Sequence, residues 1–208
     1  MKRVRVKICG ITREADARAA VTAGADAIGF VFYADSPRHV DLDEALAISR
    51  SMPPFVARVA LFLDAAAADV QAVIDRVRPS MLQFHGRETP EYCRAFDMPY
   101  IKTVPMGEAD ADPAAWAGAY PEAHGLLLDA NRAGAAGGQG QRFEWHNDTA
   151  LPDMPLVIAG GLDADNVGAA IRRFAPYAVD VSSGVESAPG VKDPERMHAF
   201  VDAVTRAG

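Results

Sequence analysis

Cysteine is scarce in this chain: 208 residues contain two, Cys9 and Cys93. Two thiols without a CxxC spacing exclude a disulfide framework, a zinc ribbon and a CxxC redox centre. Basic residues are outnumbered, with 21 Lys and Arg against 28 Asp and Glu and a formal net charge of -7. No basic stripe is available to neutralise phosphates, so nucleic acid is not an expected partner. Long apolar runs are missing too. The basic opening MKRVRVKICG runs into charged residues, so neither a signal peptide nor a membrane span is expected. The histidines at 39, 85, 124, 146 and 198 show no HxH or HExxH spacing, and no metal site is expected. Neither GxxxxGK[ST] nor GxGxxG occurs, which removes the P-loop and dinucleotide fingerprints. What is left is a half-hydrophobic chain, able to bury a sizeable core, expected in a soluble, reducing, cytoplasmic setting.

The positive signals begin at the N-terminus. Residues 4–9 alternate apolar and polar, the period of a strand. Val4, Val6 and Ile8 fall on one face, and Arg5, Lys7 and Cys9 on the other. Gly10 breaks the run, and Thr12 suits the N-cap of a helix over 13–22 that Gly24 stops. The apolar run 26–32 fits a strand covered on both faces. Further strand patterns at 56–63, 81–85, 100–104, 124–128, 156–159 and 178–181 alternate with helical ones at 41–51, 65–77, 90–96, 113–117, 165–174 and 194–206. A short helix near 143–148 completes the series. Eight βα units without a composition break predict a single-domain (β/α)8 barrel over 1–208, in preference to an open doubly wound sheet.

Active sites of such barrels gather at the C-terminal tips of the strands, and several chemically able residues have that address. Cys9 ends strand one, Asp129 ends strand six and His85 ends strand four. A buried terminal carboxylate is costly without a task or a partner, although capping the next turn is as common a task as catalysis. A lone cysteine is usually a small buried hydrophobe; a Cys9–His85 nucleophile pair is a second reading. The turns Gly160-Gly161 after strand seven and Ser182-Ser183-Gly184 after strand eight suit a phosphate held by backbone N–H groups. Tight βα turns alone would also explain them. Arg38, after Ser36-Pro37, suits a forked carboxylate contact, against the commoner solvent-facing loop arginine. By parity Lys7 and Asp180, on strands that adjoin when the barrel closes, both point inward and should pair. The Lys7 charge would then lower the Cys9 pKa. The long Gly-rich stretch 130–142 beside Asp129 is expected to form a mobile lid.

Taken together, Lys7-Ile8-Cys9-Gly10-Ile11-Thr12, Phe32 with Ser36-Pro37-Arg38, Gln83-Phe84-His85-Gly86, Leu128-Asp129, Gly137-Gly138-Gln139-Gly140 with Phe143 and Trp145, Ala159-Gly160-Gly161-Leu162 with Asn166-Val167, and Asp180-Val181-Ser182-Ser183-Gly184-Val185-Glu186 with Gly190, Lys192 and Asp193 resemble the phosphoribosylanthranilate isomerase family of tryptophan biosynthesis. The likeness runs from Val4 to Asp193 in order. It implies a TIM barrel that rearranges a phosphosugar, N-(5-phospho-β-D-ribosyl)anthranilate, without a cofactor, as a monomer or homodimer. It implies Cys9 as general base, Asp129 as general acid and Arg38 as the holder of the anthranilate carboxylate. It implies a substrate-binding role for His85, and a phosphate site at Gly160, Gly161, Ser182, Ser183 and Gly184. Where the family usually carries Gly-Gly-Thr-Gly, this chain has Gln139 in place of the threonine. The related histidine-pathway isomerase would call for an aspartate where Cys9 stands. Indole-glycerol-phosphate synthase would call for strand-tip lysines in a longer chain. A non-catalytic phosphosugar-binding module would need neither Cys9 nor Asp129.

Overall fold

The structure, a computed structural model, describes residues 3–130 and 151–208. Eight parallel strands close into one barrel: β1 (Arg5–Cys9), β2 (Ala27–Val31), β3 (Ala57–Phe62), β4 (Met81–Phe84), β5 (Tyr100–Pro105), β6 (Leu126–Asp129), β7 (Leu156–Ile158) and β8 (Ala178–Val181), with β8 paired back to β1. Helices α1 (Glu14–Ala23), α2 (Leu42–Ser51), α3 (Ala67–Val77), α4 (Pro90–Arg94) and α5 (Pro113–Ala119) follow the first five strands. Helix α6 (Val167–Phe174) follows β7, and α7 (Pro194–Ala207) closes the chain. The short helix expected near 143–148 lies outside the described residues, as does the expected lid apart from Ala130. Between β8 and α7 stands an element that strand and helix periodicity did not announce. A 3-10 turn at Ser183–Val185 leads into an antiparallel hairpin, β9 (Glu186–Ala188) and β10 (Val191–Lys192).

Strand parity decides what goes where. Ile8, Ile28, Phe30, Ala60, Leu82, Phe84, Leu126 and Leu128 face outward and pack on helix residues such as Ala17, Ile48, Val70, Ile171 and Phe200. A barrel strand is thus buried on both faces and reads as a nearly continuous apolar run. Inside, Ile101, Leu127, Val157 and Ala178 fill the floor with Met81 against them, so the barrel is a packed core, not a pore.

Helix ends follow local chemistry. Asp41 accepts from the N–H groups of Asp43 and Glu44 at 2.9 and 2.8 Å, and Glu44 reaches back to the Asp41 N–H, a full capping box. Helices α4, α5 and α7 start with proline behind the capping residues Thr89, Asp112 and Asp193. The start of α1 departs from expectation. Its N-cap is Arg13, and Thr12 does not cap it. The Thr12 hydroxyl donates 2.7 Å to the Gly190 carbonyl, because the hairpin brings that acceptor against the β1–α1 loop.

Candidate active site

The C-terminal ends of the strands open on one cleft. Cys9 from β1, Gln83 and His85 from β4, Asp129 from β6, the Gly160-Gly161 turn after β7, and Asp180, Ser182 and Ser183 from β8 and its turn all line it, with Arg38 from the β2–α2 loop. Every strand-tip residue singled out from sequence therefore reaches one space. Gly184 is not among the lining residues; it packs against Leu162, which is.

One wall is built from ion pairs. Lys7 and Asp180 are register partners across the β1–β8 seam, and Lys7 Nζ donates 2.9 Å to Asp180 Oδ1 with both side chains buried. The expected pairing is present. Burial opposes the Lys7 charge, but Asp180 and Cys9 beside it outweigh that and hold its pKa above the ordinary lysine value. The pull of Lys7 expected on the Cys9 thiol is present but outweighed. Burial pushes the Cys9 thiol above its ordinary 9.0, although Lys7, and more weakly Lys192, pull it back down. The cation next door is real, yet desolvation of a thiolate in a closed barrel is the larger effect. Gly29 on β2 is Cys9's register partner, and a Cβ there would stand 2.8 Å from Cys9 Sγ and 3.1 Å from Lys7 Nζ. Only a residue without a side chain leaves room for the thiol and the ammonium together.

The opposite wall carries His85, Gln83 and Thr103 beside Asp129. His85 Nδ1 lies 3.1 Å from Thr103 Oγ1, and its Nε2 faces Asp129 Oδ2 at 3.8 Å. Burial, together with the nearby Lys102 and Lys7, lowers the His85 pKa below 6.5 despite the pull of Asp129, so the ring is neutral at pH 7. Gln83 Nε2 approaches both His85 and Thr103 at 3.5 Å. Among the described residues, its buried Oε1 has no hydrogen-bond partner.

Arg38 is not the solvent-facing loop residue that ordinary loop statistics favour. It is buried, and its Nε and Nη2 donate to the two carboxylate oxygens of Glu186 at 2.8 and 2.7 Å. The late turns are packed on each other. A Cβ on Gly184 would fall 2.0 Å from the Leu162 carbonyl, so the turn after β8 touches the turn after β7 backbone to backbone. Asn166 ties its own loop by donating to the Gly161 carbonyl at 2.9 Å, and the Ser182 hydroxyl donates to the Cys9 carbonyl at 3.1 Å.

Three residues at this site went without a role on sequence grounds: Thr103, Glu186 and Lys192. Parity along β5 would have turned Thr103 inward, like Ile101. Glu186 and Lys192 flank a short Pro-Gly segment, which is a hairpin signal, but nothing local says that both ends fold back under Arg38.

Fold and cleft define a (β/α)8-barrel protein whose strand tips combine a thiol, a carboxylate, a buried arginine and two glycine-containing turns. The family model for N-(5'-phosphoribosyl)anthranilate (PRA) isomerase matches residues 6–203. An N-(5'-phosphoribosyl)anthranilate isomerase of Pseudomonas aeruginosa (strain UCBPP-PA14) is 52% identical over 204 residues, covering 98% of this chain and 96% of the relative. The phosphoribosyl anthranilate isomerase structure from Thermotoga maritima superposes with a TM-score of 0.86 at 38% identity, covering 98% of this chain and 99% of that one. A similar enzyme solved with reduced 1-(o-carboxyphenylamino)-1-deoxyribulose 5-phosphate gives a TM-score of 0.79 at 36% identity, covering 98% and 99%. The chain belongs to the N-(5'-phosphoribosyl)anthranilate isomerase family.

Proposed function

We propose that this chain converts N-(5-phospho-β-D-ribosyl)anthranilate to 1-(2-carboxyphenylamino)-1-deoxy-D-ribulose 5-phosphate, with Asp129 as general acid and Cys9 as general base. Asp129 protonates the furanose ring oxygen, and the ring opens to a protonated Schiff base. Cys9, as thiolate, takes the proton from C2, and the enolamine that forms tautomerises to the ketone. The cationic Schiff base withdraws electrons from C2, which lets a thiolate remove an otherwise unacidic proton. The turns at Gly160-Gly161 and Ser182-Ser183-Gly184 hold the phosphate through their backbone, Arg38 holds the carboxylate, and His85 binds substrate beside Asp129. The reading treats 1–208 as one catalytic unit acting on a small phosphosugar.

The observation that carries this reading is that Cys9 and Asp129 reach one cleft from well-separated strands, β1 and β6. An acid acting on the ring oxygen and a base acting on C2 need that separation. The state of each wall fits its task. Lys7 and Lys192 offset part of the cost of a buried thiolate, and neutral His85 stands 3.8 Å from Asp129.

The test is turnover of freshly made substrate, followed by loss of its fluorescence, for wild type, Cys9→Ala and Asp129→Ala. Active wild type and two collapsed variants, each folded by circular dichroism, support the reaction and both roles. Inactive wild type that still binds a phosphosugar would move the protein to the binding-module class. Near-normal Cys9→Ala activity would remove Cys9 as base and make His85 the next candidate.

A further inference from the structure

The reaction proposed above uses Arg38 but gives no task to the charged pair behind it. Glu186, the first residue of β9, accepts from Arg38 Nε and Nη2 through separate oxygens at 2.8 and 2.7 Å. A two-point contact of this kind fixes the plane of a guanidinium as well as its position. Glu186 is itself held. Lys192, from β10, donates 2.7 Å to Glu186 Oε1 and also reaches the Ser182 carbonyl at 3.1 Å and hydroxyl at 3.3 Å. Its side chain is 0% exposed. The Lys192 backbone N–H donates to Asp16 at 3.1 Å, and Arg196 donates to the Glu186 carbonyl. Burial works against ionised Glu186, but its contacts with Arg38 and Lys192 outweigh that and keep its carboxyl below the ordinary range.

This trio runs from the loop after β2 to the turn after β8. One end is the arginine that meets a carboxylate in the reading above, and the other is the serine turn that meets a phosphate. A substrate with two anionic ends must present both at a fixed separation. The trio connects the two receivers through buried side chains.

We propose that Glu186 and Lys192 are positioning residues that lock the Arg38 fork in register with the Ser182-Ser183 turn, making the site selective for a phosphosugar that also carries an aryl carboxylate. Neither residue touches the reacting atoms. The inference rests on the reading that Arg38 receives the carboxylate and the serine turn the phosphate.

The experiment compares wild type, Glu186→Gln, Lys192→Met and the double variant carrying both changes. Each is measured for melting temperature, for turnover of the carboxylated substrate, and for affinity toward two reduced product analogues. One analogue bears the carboxylate on its phenyl ring and the other lacks it. Wild type should favour the carboxylated analogue by about tenfold or more, the discrimination expected when a buried polar site loses its partner. Glu186→Gln should abolish most of that preference, weakening the carboxylated analogue about tenfold and the plain phenyl analogue less than about twofold. It should also melt lower, because two buried cations lose their anion. The double variant removes one of those cations, so it should recover melting temperature without recovering the preference. A preference that returns with stability, or equal weakening of both analogues, makes the trio a structural brace and overturns the inference. Wild type that binds both analogues equally overturns it as well, together with the role of Arg38, while leaving Cys9 and Asp129 to their own turnover test.

Discussion

On the β1–β8 side of the cleft, charged side chains meet at 2.7–2.9 Å: Lys7 with Asp180, Arg38 with Glu186, Lys192 with Glu186. On the β4–β6 side, His85 lies 3.1 Å from Thr103 and 3.8 Å from Asp129, the histidine is neutral, and among the described residues the Gln83 side-chain carbonyl has no donor. Both walls are buried to a similar degree, so burial is not what separates them. The difference follows from what each is asked to do. A base wall must make a thiolate tolerable in a dry site, and only fixed cations do that. An acid wall must let a proton leave a carboxyl and return. The group that faces Asp129 across 3.8 Å there is a neutral imidazole.

The largest expected effects test whether the walls divide the chemistry. Cys9→Ala and Asp129→Asn should each lower kcat/KM by about 10²–10⁴-fold, the usual worth of a positioned acid or base. Their pH dependence should differ in kind. Because burial holds the Cys9 thiol above 9.0 in spite of Lys7, wild-type kcat/KM should still be climbing between pH 7 and 9. A plateau reached near pH 7 would mean that a substrate-induced change, absent from the free protein, lowers the thiol, and the contrast drawn between the walls would then fail for the complex.

Stability should split the walls as sharply. Lys7→Met strips the buried Asp180 carboxylate of its cation and should cost about 3–5 kcal/mol. His85→Gln removes one neutral hydrogen bond to Thr103 and should cost about 0.5–1.5 kcal/mol. Urea unfolding of both variants reads the difference directly, and equal losses would erase the distinction. A control lies outside the cleft. Lys102, buried on β5, donates to Glu88 at 2.8 Å and to the Gly86 carbonyl at 2.6 Å, and so holds the loop that follows His85. Lys102→Met should be as destabilising as Lys7→Met, which shows that tight buried pairs mark load as well as chemistry.

Packing gives an intermediate test. Gly29→Ala puts a methyl 2.8 Å from Cys9 Sγ, and overpacking of this kind costs about 1–3 kcal/mol. Turnover should fall further than stability explains, because moving a reacting group by about 1 Å can cost on the order of 10²-fold. Unchanged turnover would show that the thiol's position is less constrained than its neighbours suggest.

Sequence alone shows the barrel because parity and burial act along single strands. The outward set Val6, Ile8, Ile28 and Leu82 is visible as periodicity, and so is the inward set Lys7, Cys9 and Asp180, which gives the Lys7–Asp180 pair before any coordinates. Sequence alone does not weigh opposing terms at one atom. The Cys9 thiol is pulled down by a cation that parity reveals and pushed up by desolvation that only the closed barrel creates. Nor does it show contacts made by irregular chain. Thr12 reads as a cap and becomes a donor to Gly190, and Glu186 and Lys192 acquire partners because a hairpin folds them under Arg38.

The smallest effect, on the acid wall, belongs to His85. Burial lowers its folded pKa below the ordinary 6.5, whereas the unfolded chain titrates near that value. Above about pH 6.5 the ring is neutral in both states and its contribution to stability is constant. Below that, the unfolded chain takes up a proton that the folded protein resists, so stability falls as pH drops toward the folded pKa. Each unit of depression is worth about 1.4 kcal/mol. Urea unfolding at pH 7.5 and at pH 5.5 should therefore show a loss for wild type that is smaller in His85→Gln by that contribution, whereas carboxylate titration affects both proteins alike. If the two proteins lose the same amount, the His85 pKa is not depressed in the folded protein, its ring is protonated at pH 5.5, and burial does not govern its charge on the acid wall.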